Sequence, residues 1–351
     1  MKQKLLQFLL CPSCGGGLSL KKLENDGSEI TEGTLLCSGC KNNYPIISGI
    51  PRMLPESMIK KEILSHFKKK YGESCISSGE AEKSDAQDVK ERTSKSFGFQ
   101  WNVFPEMYVE YEKNFLDYID PKKPSFFKGK VVLDAGCGFG RHTYYAAKYG
   151  ADVIGFDLSD AVDAAHENCK ELSNVHIVQG DIYNPPFRKT FDFIMSIGVL
   201  HHLPYPEKGY QSLVSLLRTG DEMFAWLYGS EGRPFKTVFL EGTIRKIAVK
   251  MPQKMLYYFC YLPAILYHTT NQLYHIFRKI GANGLAKKLP FKNYTKFPFR
   301  VKLADTYDFL GTPINNYYTK EESEQWAKNA KLRNISVTSL GGRSWRIFGK
   351  K

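Results

Sequence analysis

Residues 131–141 restrict the possible fold of this 351-residue chain more than any other stretch. The stretch opens with an apolar run at 131–133 that lacks the polar alternation of a strand exposed on one face. Such a run is typical of a parallel strand covered on both faces. Three glycines follow at alternate positions, where the backbone can turn sharply and approach a ligand that any Cβ would hold off. The stretch therefore predicts a buried strand, a glycine-rich turn and the start of a helix.

The turn has the pattern acid-x-Gly-x-Gly-x-Gly, with Asp134 two residues before the first glycine. It resembles motif I of the Rossmann-like methyltransferases that use S-adenosylmethionine (SAM). The G-x-G-x-x-G fingerprint of NAD enzymes occupies the same place, but its third glycine falls three residues after the second instead of two. Taken alone, the motif leaves a nucleotide-binding oxidoreductase and a purely structural turn open as alternatives.

Further strand-like segments follow, separated by helical stretches, and this alternation predicts a parallel sheet. The segments cover residues 152–157, 175–179, 191–197 and 222–228. Asp157 ends the first of them, 23 positions after Asp134. An acid at this place in Rossmann-like proteins accepts hydrogen bonds from ribose hydroxyls. Gly180 and Asp181 follow the second segment.

Together with Phe191-Asp-Phe-Ile and the pair His201-His202, these features resemble the ubiquinone/menaquinone C-methyltransferase-like family, which has a methyltransferase type 11 domain. The resemblance covers residues 130–228. It implies that Asp181 accepts from the adenine amino group of SAM and that the Ile182 backbone meets the ring. The residues expected to bind SAM are Asp134, Gly136, Cys137, Gly138, Gly140, Asp157, Leu158, Asp181, Ile182 and Ser196.

His201 and His202 are the candidate catalytic residues. Methyl transfer from a sulfonium is an in-line displacement with an activated leaving group, so the protein mainly aligns the reactants. A general base is needed only if the acceptor must lose a proton. The two histidines follow the 191–197 strand, where the methyl group should emerge; the alternative is that they cap this loop structurally. Tyr205 is a weaker candidate, and residues 305–308 are expected to line the acceptor pocket.

Four of the eight cysteines form two C-x-x-C pairs near the start of the chain. Two such pairs predict a tetrahedral structural zinc, and the few apolar residues between them would not hold so small a fold without it. The other four cysteines are scattered, which suits a reducing compartment better than a disulfide framework. A metal-free loop is the alternative. The predicted zinc ligands are Cys11, Cys14, Cys37 and Cys40.

Residues 5–14 and 44–54 resemble the small zinc-ribbon protein that activates several tRNA and protein methyltransferases. The resemblance implies a stabilising or partner-docking role without chemistry at the zinc. We expect a zinc ribbon at 1–55, a partly helical linker at 56–93 and a methyltransferase domain at 94–351. Three aromatic residues ahead of motif I are expected either to cover the cofactor pocket or to pack on the sheet; they are Phe97, Phe99 and Trp101.

The predicted fold class is α/β, with a Rossmann-like, seven-stranded, mostly parallel sheet and helices on both faces. Residues 332–340 and 344–348 are expected to form its last, antiparallel pair of strands, after a helix opened by a capping box from Thr319 to Glu322. Residues 184–187 match the Asn-Pro-Pro-aromatic motif of amino-methyltransferases. Because this motif precedes the 191–197 strand here, an ordinary turn is the favoured interpretation.

Residues 229–312 are predicted to form a helical insert rich in basic and aromatic residues. Between 229 and 300 the chain has 13 Lys or Arg and two acids, which accounts for 11 of its 13 net positive charges. Three interpretations stay open: a lid with a solvated basic face, a segment drawn to anionic lipid headgroups, and an RNA-binding surface.

The predicted function is SAM-dependent methyl transfer to a small or amphipathic acceptor, lipid-like or quinone-like. The alternatives are an RNA (rRNA or tRNA) base methyltransferase and a non-catalytic SAM-binding regulatory or scaffold protein. No export signal opens the sequence, and its longest apolar run, 255–266, is too short to span a bilayer. We therefore expect a cytoplasmic protein, with peripheral membrane contact through 229–300 if that segment is interfacial. Nucleic acid is the less expected partner.

Overall fold

The computed structural model describes residues 1–73, 76, 79, 84–231, 235–289 and 297–351. The chain divides into two compact units. Unit 1 contains Met1–Gly232 and Ile314–Lys351, and unit 2 contains Arg233–Pro313. Parts of the predicted linker (74–75, 77–78 and 80–83) and of the predicted insert (232–234 and 290–296) lie outside the described residues.

Unit 1 is built on one mixed sheet with helices packed against it. Its strands are β1 (Leu18–Asp26), β2 (Glu29–Cys37), β3 (Asn43–Ile47), β4 (Ile50–Met53), β5 (Val131–Ala135), β6 (Asp152–Asp157), β7 (Val175–Gly180), β8 (Phe191–Ile197), β9 (Leu217–Tyr228), β10 (Arg333–Ser339) and β11 (Ser344–Lys350). Its helices are α1 (Lys61–Tyr71), α2 (Asp85–Val103), α3 (Glu110–Ile119), α4 (Arg141–Lys148), α5 (Ala161–Cys169), α6 (Pro206–Val214) and α12 (Lys320–Asn329).

The centre of the sheet is parallel. Its strand order is β7-β6-β5-β8-β9, and β11 and β10 continue it in antiparallel fashion. The chain moves outward from β5 to β6 and β7 on one side, then returns to β8 and β9 on the other. Ligands of open α/β sheets bind where the strand order reverses in this way, beyond the carboxyl ends of the strands. The expected α/β class is confirmed.

The predicted count of seven strands is wrong, because the described residues form a sheet of eleven. β4 pairs in parallel with β7, through Arg52 opposite Gln179 and Met53 opposite Gly180, and β3, β2 and β1 continue outward from it. These four strands join the sheet because β7 would otherwise present an edge with unpaired backbone groups. All four residues of β4 are buried, so the strand can cover that edge.

Residues predicted to be a linker contribute to the core. Leu64 and Phe67 of α1 are buried in a cluster with Ile47 at the end of β3 and Leu54 directly after β4. The following helix α2 continues from Asp85 to Val103, straight through the predicted boundary at 93/94. The proposed division into 1–55, 56–93 and 94–351 stays a prediction.

The carboxyl-terminal part of unit 1 follows the predicted pattern. The Thr319 hydroxyl accepts a hydrogen bond from the Glu322 backbone N–H (3.1 Å), and the Glu322 carboxylate accepts one from the Thr319 N–H (2.7 Å). This confirms the capping box at the start of α12. β10 and β11 pair antiparallel, as expected, across a turn in which Gly341 and Gly342 both have positive φ.

Unit 2 is helical in its described residues. Its helices are α7 (Phe235–Ala248), α8 (Gln253–Phe259), α9 (Tyr261–Lys279), α10 (Asn283–Lys288) and α11 (Phe299–Gly311). α9 packs against α8, α10 and α11, and α7 and α8 also contact α11. Among the described helices of the whole chain, none is long and apolar enough to cross a membrane.

Candidate cofactor and zinc sites

The glycine-rich turn lies at the carboxyl end of β5, at the point where the strand order reverses. Gly136, Gly138 and Gly140 all have left-handed φ angles of 86°, 54° and 87°. At Gly136 a Cβ would lie only 2.2 Å from a methyl carbon of Val199. Both the conformation and the space therefore require glycine here.

Asp157, at the end of β6, is hydrogen-bonded to this turn. Its carboxylate accepts from the Gly138 N–H (3.0 Å) and from the N–H (2.8 Å) and hydroxyl (2.7 Å) of Ser159. Burial raises the pKa of Asp157 above its ordinary value although these hydrogen bonds oppose the shift. The structure thus brings together two of the predicted cofactor residues, Asp157 and Gly138.

Asp134 is buried beneath the turn with one oxygen unpaired. Oδ2 accepts from the Thr143 hydroxyl at 2.7 Å, whereas Oδ1 has no hydrogen-bond partner among the described residues. Burial, with a smaller contribution from the Asp157 charge, raises the pKa of Asp134 to about 7. An orphaned buried carboxylate oxygen suits a cationic ligand, and SAM is cationic at its sulfonium and amino groups. The donor set therefore fits the predicted cofactor.

Asp181 is engaged by a residue that the sequence did not indicate. The Lys90 ammonium of α2 lies 2.7 Å from Oδ2, and the Tyr183 N–H donates to Oδ1 at 3.0 Å. Both charged side chains are mostly buried, 15% exposed for Lys90 and 12% for Asp181. Nothing in the sequence separated Lys90 from the other lysines of the predicted linker, because the ion pair joins positions 91 residues apart.

Helix α2 also contacts the glycine-rich turn. The Trp101 indole lies against Gly138, where a Cβ would be 3.2 Å from Nε1, and its ring centroid is 4.7 Å from that of Phe139. The Phe97 ring lies 5.2 Å from the His202 ring. In this structure Trp101 of α2 lies against the turn, and the two roles expected for Phe97, Phe99 and Trp101 stay predictions.

The other predicted cofactor residues lie around the same edge. The Ser196 hydroxyl donates to the Ala135 carbonyl (2.9 Å), linking β8 to β5. Cys137 and Ile182 are buried, and the Leu158 carbonyl accepts from the Gln179 amide at 3.1 Å.

The two candidate catalytic histidines differ in their surroundings. His201 is fully buried, its ring stacks on that of Tyr228 with centroids 3.8 Å apart, and neither nitrogen has a hydrogen-bond partner among the described residues. Burial, reinforced by His202, lowers the pKa of His201 well below its ordinary value. His202 Nδ1 lies 2.9 Å from the Ile314 carbonyl. Because a carbonyl only accepts, Nδ1 is the donor in this contact.

The remaining candidates for the acceptor site are Tyr205, residues 305–308 and the turn at 184–187. Tyr205 is 59% exposed, and its N–H donates to the Tyr183 hydroxyl at 2.8 Å. Residues 305–308 belong to α11 of unit 2. Asn184, from the Asn-Pro-Pro-aromatic motif, follows β7 in a turn, and its N–H donates to the Asp181 carbonyl at 3.0 Å.

The four predicted zinc ligands lie together. Their sulfur atoms are all within 4.8 Å of one another, with Cys11 and Cys40 at 3.6 Å and Cys14 and Cys37 at 3.4 Å. A tetrahedral zinc with Zn–S bonds of about 2.3 Å requires sulfur separations of roughly 3.8 Å, so the cluster fits the metal. With four protein ligands the site has no open position for chemistry. A Cβ on Gly16 would lie 3.0 Å from the Cys37 sulfur, so the site also favours glycine at this position. The spacing of the cysteines did not indicate this preference.

Two family models match the chain. Residues 133–225 match a methyltransferase domain, and residues 2–49 match the Trm112p-like proteins. The chain carries a methyltransferase domain behind a Trm112p-like domain. The expected SAM and structural zinc are consistent with these two domains, and both resemblances drawn from the sequence are confirmed.

Curated relatives match over the methyltransferase domain. One is the tRNA U34 carboxymethyltransferase of Pseudoalteromonas translucida, 35% identical over 112 residues, or 31% of this chain and 33% of the relative. Another is the ubiquinone biosynthesis O-methyltransferase of Coxiella burnetii, 32% identical over 112 residues, or 31% of this chain and 47% of the relative. The match thus spans less than half of either relative.

Solved structures resemble the chain more weakly. An O-methyltransferase family protein from Burkholderia thailandensis is 12% identical with a TM-score of 0.44, covering 76% of this chain and 61% of that protein.

Proposed function

We propose that the protein is a SAM-dependent methyltransferase that acts on a small or amphipathic acceptor. The observation that carries the proposal is the arrangement around the glycine-rich turn of the methyltransferase domain. There Asp157 is hydrogen-bonded to Gly138, and Asp134 keeps a buried oxygen without a partner. Both features suit the sugar and cationic parts of SAM.

The residues of this chain would contribute mainly alignment. When bound, SAM supplies a methyl group on an activated leaving group. Asp157 holds the glycine-rich turn through Gly138, and Asp134 offers its unpartnered Oδ1 to a cation. If the acceptor has to lose a proton, His202 is the better base of the two histidines, because the Ile314 carbonyl orients its ring whereas burial lowers the pKa of His201 well below its ordinary value. His201 is held neutral among aromatic rings and serves the packing of the loop.

A cleft of about 430 Å³ in unit 1 has Asp181 in its lining. Pro55, Met58 and Pro204 contribute apolar surface to it, and Lys90 and Lys208 give it positive charge. A cleft of this volume suits a molecule of drug-like size. Because Asp181 is assigned to the adenine end of SAM, this cleft is not where the methyl group should emerge, and the proposed acceptor class rests on the sequence resemblance to small-molecule methyltransferases.

A second candidate function is methylation of RNA. It is favoured by the similarity of the methyltransferase domain to a protein named as a tRNA carboxymethyltransferase and by the basic composition of unit 2. A non-catalytic SAM-binding role is the third possibility, and the same experiment separates all three.

The experiment uses purified protein, methyl-labelled SAM and a cell extract, which is then separated into organic-soluble, small polar, RNA and protein fractions. Label in the organic or small polar fraction is the expected result. Label in RNA would refute the proposed acceptor, and SAM binding without label in any fraction would support the non-catalytic role. Asp157→Ala is the matched control, because loss of SAM binding should abolish labelling in every fraction.

For the Trm112p-like domain we propose a stabilising role within the chain. Its last strand, β4, joins the catalytic sheet directly beside the strand that leads to Asp181. The zinc would hold the ribbon in the shape that presents this strand.

A further inference from the structure

The outer side of helix α9 presents an apolar stripe to solvent. Its exposed members are Leu262 (74%), Ile265 (49%), Leu266 (60%), Leu273 (44%) and Ile276 (52%), followed by Ile280 (68%) just past the helix end. At 100° per residue, all six fall within an arc of about 100°. Such an arc is normally the face of an amphipathic helix that is buried against a partner.

The opposite side of α9 is already occupied. Ala264, Thr270 and Asn271 are its buried residues, and the helix packs against α10 and α11. The stripe is therefore not the side with which α9 joins its own unit.

Helix α8 contributes further exposed apolar side chains. Met255 is 52% exposed, Tyr258 71% and Phe259 40%. We call these three residues and the six of the α9 stripe the apolar face. Twelve of the 15 large apolar side chains that are exposed in the described part of the chain belong to unit 2, although it is much the smaller unit. Concentration of this kind marks an interaction surface, whereas scattered exposed apolar residues do not.

Positive charge accompanies the apolar face. From residue 242 to residue 304 the sequence contains no Asp or Glu. The exposed cations of the described helices and their ends are Lys246, Lys250, Lys254, Arg278, Lys279, Lys287 and Lys288. Lys254 adjoins Met255, and Lys279 adjoins Ile280, so cations lie next to members of the apolar face in the sequence.

We propose that the apolar face docks onto an anionic lipid surface, with α8 and α9 lying in the plane of the headgroups. Aliphatic side chains would enter the acyl boundary while the lysines and arginines meet lipid phosphates. A second copy of the chain is disfavoured as the occupant because two strongly basic units would repel each other. RNA is disfavoured because seven of the nine members of the apolar face are not aromatic, whereas bases stack on aromatic rings. The proposal does not depend on which acceptor is methylated.

The test is co-sedimentation of the full chain with vesicles of phosphatidylcholine containing about 30% phosphatidylglycerol, at low ionic strength, where charge attraction is strong. We expect binding to these vesicles, and at least tenfold weaker binding to phosphatidylcholine alone. The double variant Leu266→Ser/Leu273→Ser should lose at least tenfold in affinity for the anionic vesicles. The matched control is Val109→Ser in unit 1, an 83% exposed apolar residue outside the apolar face, which should bind like the wild type.

A charge variant guards against misfolding of the double variant. Lys287→Gln/Lys288→Gln changes only exposed side chains, and it should weaken binding to anionic vesicles several-fold while the circular dichroism spectrum stays the same. Binding by all of these proteins should weaken as salt is raised, since headgroup attraction is screened.

Several results would overturn the proposal. They are the absence of binding to anionic vesicles, equal binding by the double variant and the wild type, and a wild-type dimer that the double variant converts to monomer. RNA binding lost in the double variant, without vesicle binding, would reassign the apolar face to nucleic acid. SAM affinity measured in the same variants should not change, so a failed docking test leaves the proposed methyltransferase function separately testable.

Discussion

Replacing Arg52 tests how strongly the Trm112p-like domain is joined to the catalytic sheet. Arg52 lies on β4 and is only 1% exposed. Its guanidinium donates to the Gln179 side-chain oxygen (3.1 Å) and to Asp163 on α5 (2.5 Å). We consider Arg52→Met, which keeps most of the apolar stem and removes the charge.

The expected cost follows from what is left behind. The Gln179 oxygen loses its donor in a buried position, which costs about 1–3 kcal/mol. Asp163 is 37% exposed, so its carboxylate regains water and adds little. The Arg52 Nε is buried and has no partner among the described residues, so removing it offsets part of this cost. We therefore expect Arg52→Met to lower the free energy of unfolding by about 2 kcal/mol.

The measurement is urea-induced unfolding, read as a shift in midpoint at constant m-value. The matched control is Arg218→Met, because Arg218 also donates to two side chains, the carboxylates of Asp192 and Asp221, but is 50% exposed. Its replacement should cost no more than about 1 kcal/mol. If Arg52→Met costs no more than Arg218→Met, the ion pair at the β4 junction does not stabilise the protein as reasoned.

Three further predictions concern the cofactor and zinc sites. Asp157→Ala should weaken SAM binding more than about tenfold in calorimetry, because ribose hydroxyls and the Gly138 N–H lose their acceptor; an unchanged dissociation constant would contradict the assignment. The raised pKa of Asp134, about 7, means that the folded state binds a proton that the unfolded state has released. As the pH rises from about 4 to about 7, the contribution of Asp134 to the free energy of unfolding should therefore fall, by as much as about 4 kcal/mol. Denaturation of the wild type and of Asp134→Asn across this range should show the wild type losing stability relative to the variant as the pH rises. A difference in the free energy of unfolding that stays constant with pH would contradict this reasoning. Metal analysis should find about one zinc ion per chain. Cys14→Ser should lose the zinc and melt at least about 5 °C lower than the wild type, whereas the control Cys260→Ser should keep the zinc.

Features that depend on local sequence were predictable. The apolar run at 131–133, the three glycines and the acids that end β6 and β7 are each fixed by neighbouring residues. Strand, turn and helix there follow from hydrophobic pattern and backbone freedom. The capping box of α12 and the two cysteine pairs belong to the same class, because their spacing along the chain determines their geometry.

Features that depend on pairing between distant segments were not predictable. The edge contact of β4 with β7 involves only two residue pairs, and nothing in Ile50–Met53 distinguishes it from any short buried strand. The number of strands was therefore wrong. Lys90 reaches Asp181 because α2 passes over the carboxyl edge of the sheet, and a polar, lysine-rich segment gave no sign of that path.

These two unpredicted contacts meet at the same place. Arg52 and Met53 pair with Gln179 and Gly180, the last residues of β7, and Asp181 follows at once. Asp181 is held from its other side by Lys90 of α2. Asp181, the carboxylate assigned to the adenine end of the cofactor, is thus positioned by β4 from the predicted zinc ribbon and by Lys90 of α2 from the predicted linker. A variant that loosens β4, such as Arg52→Met, should therefore weaken SAM binding as well as stability, whereas Arg218→Met, away from this junction, should leave SAM affinity unchanged.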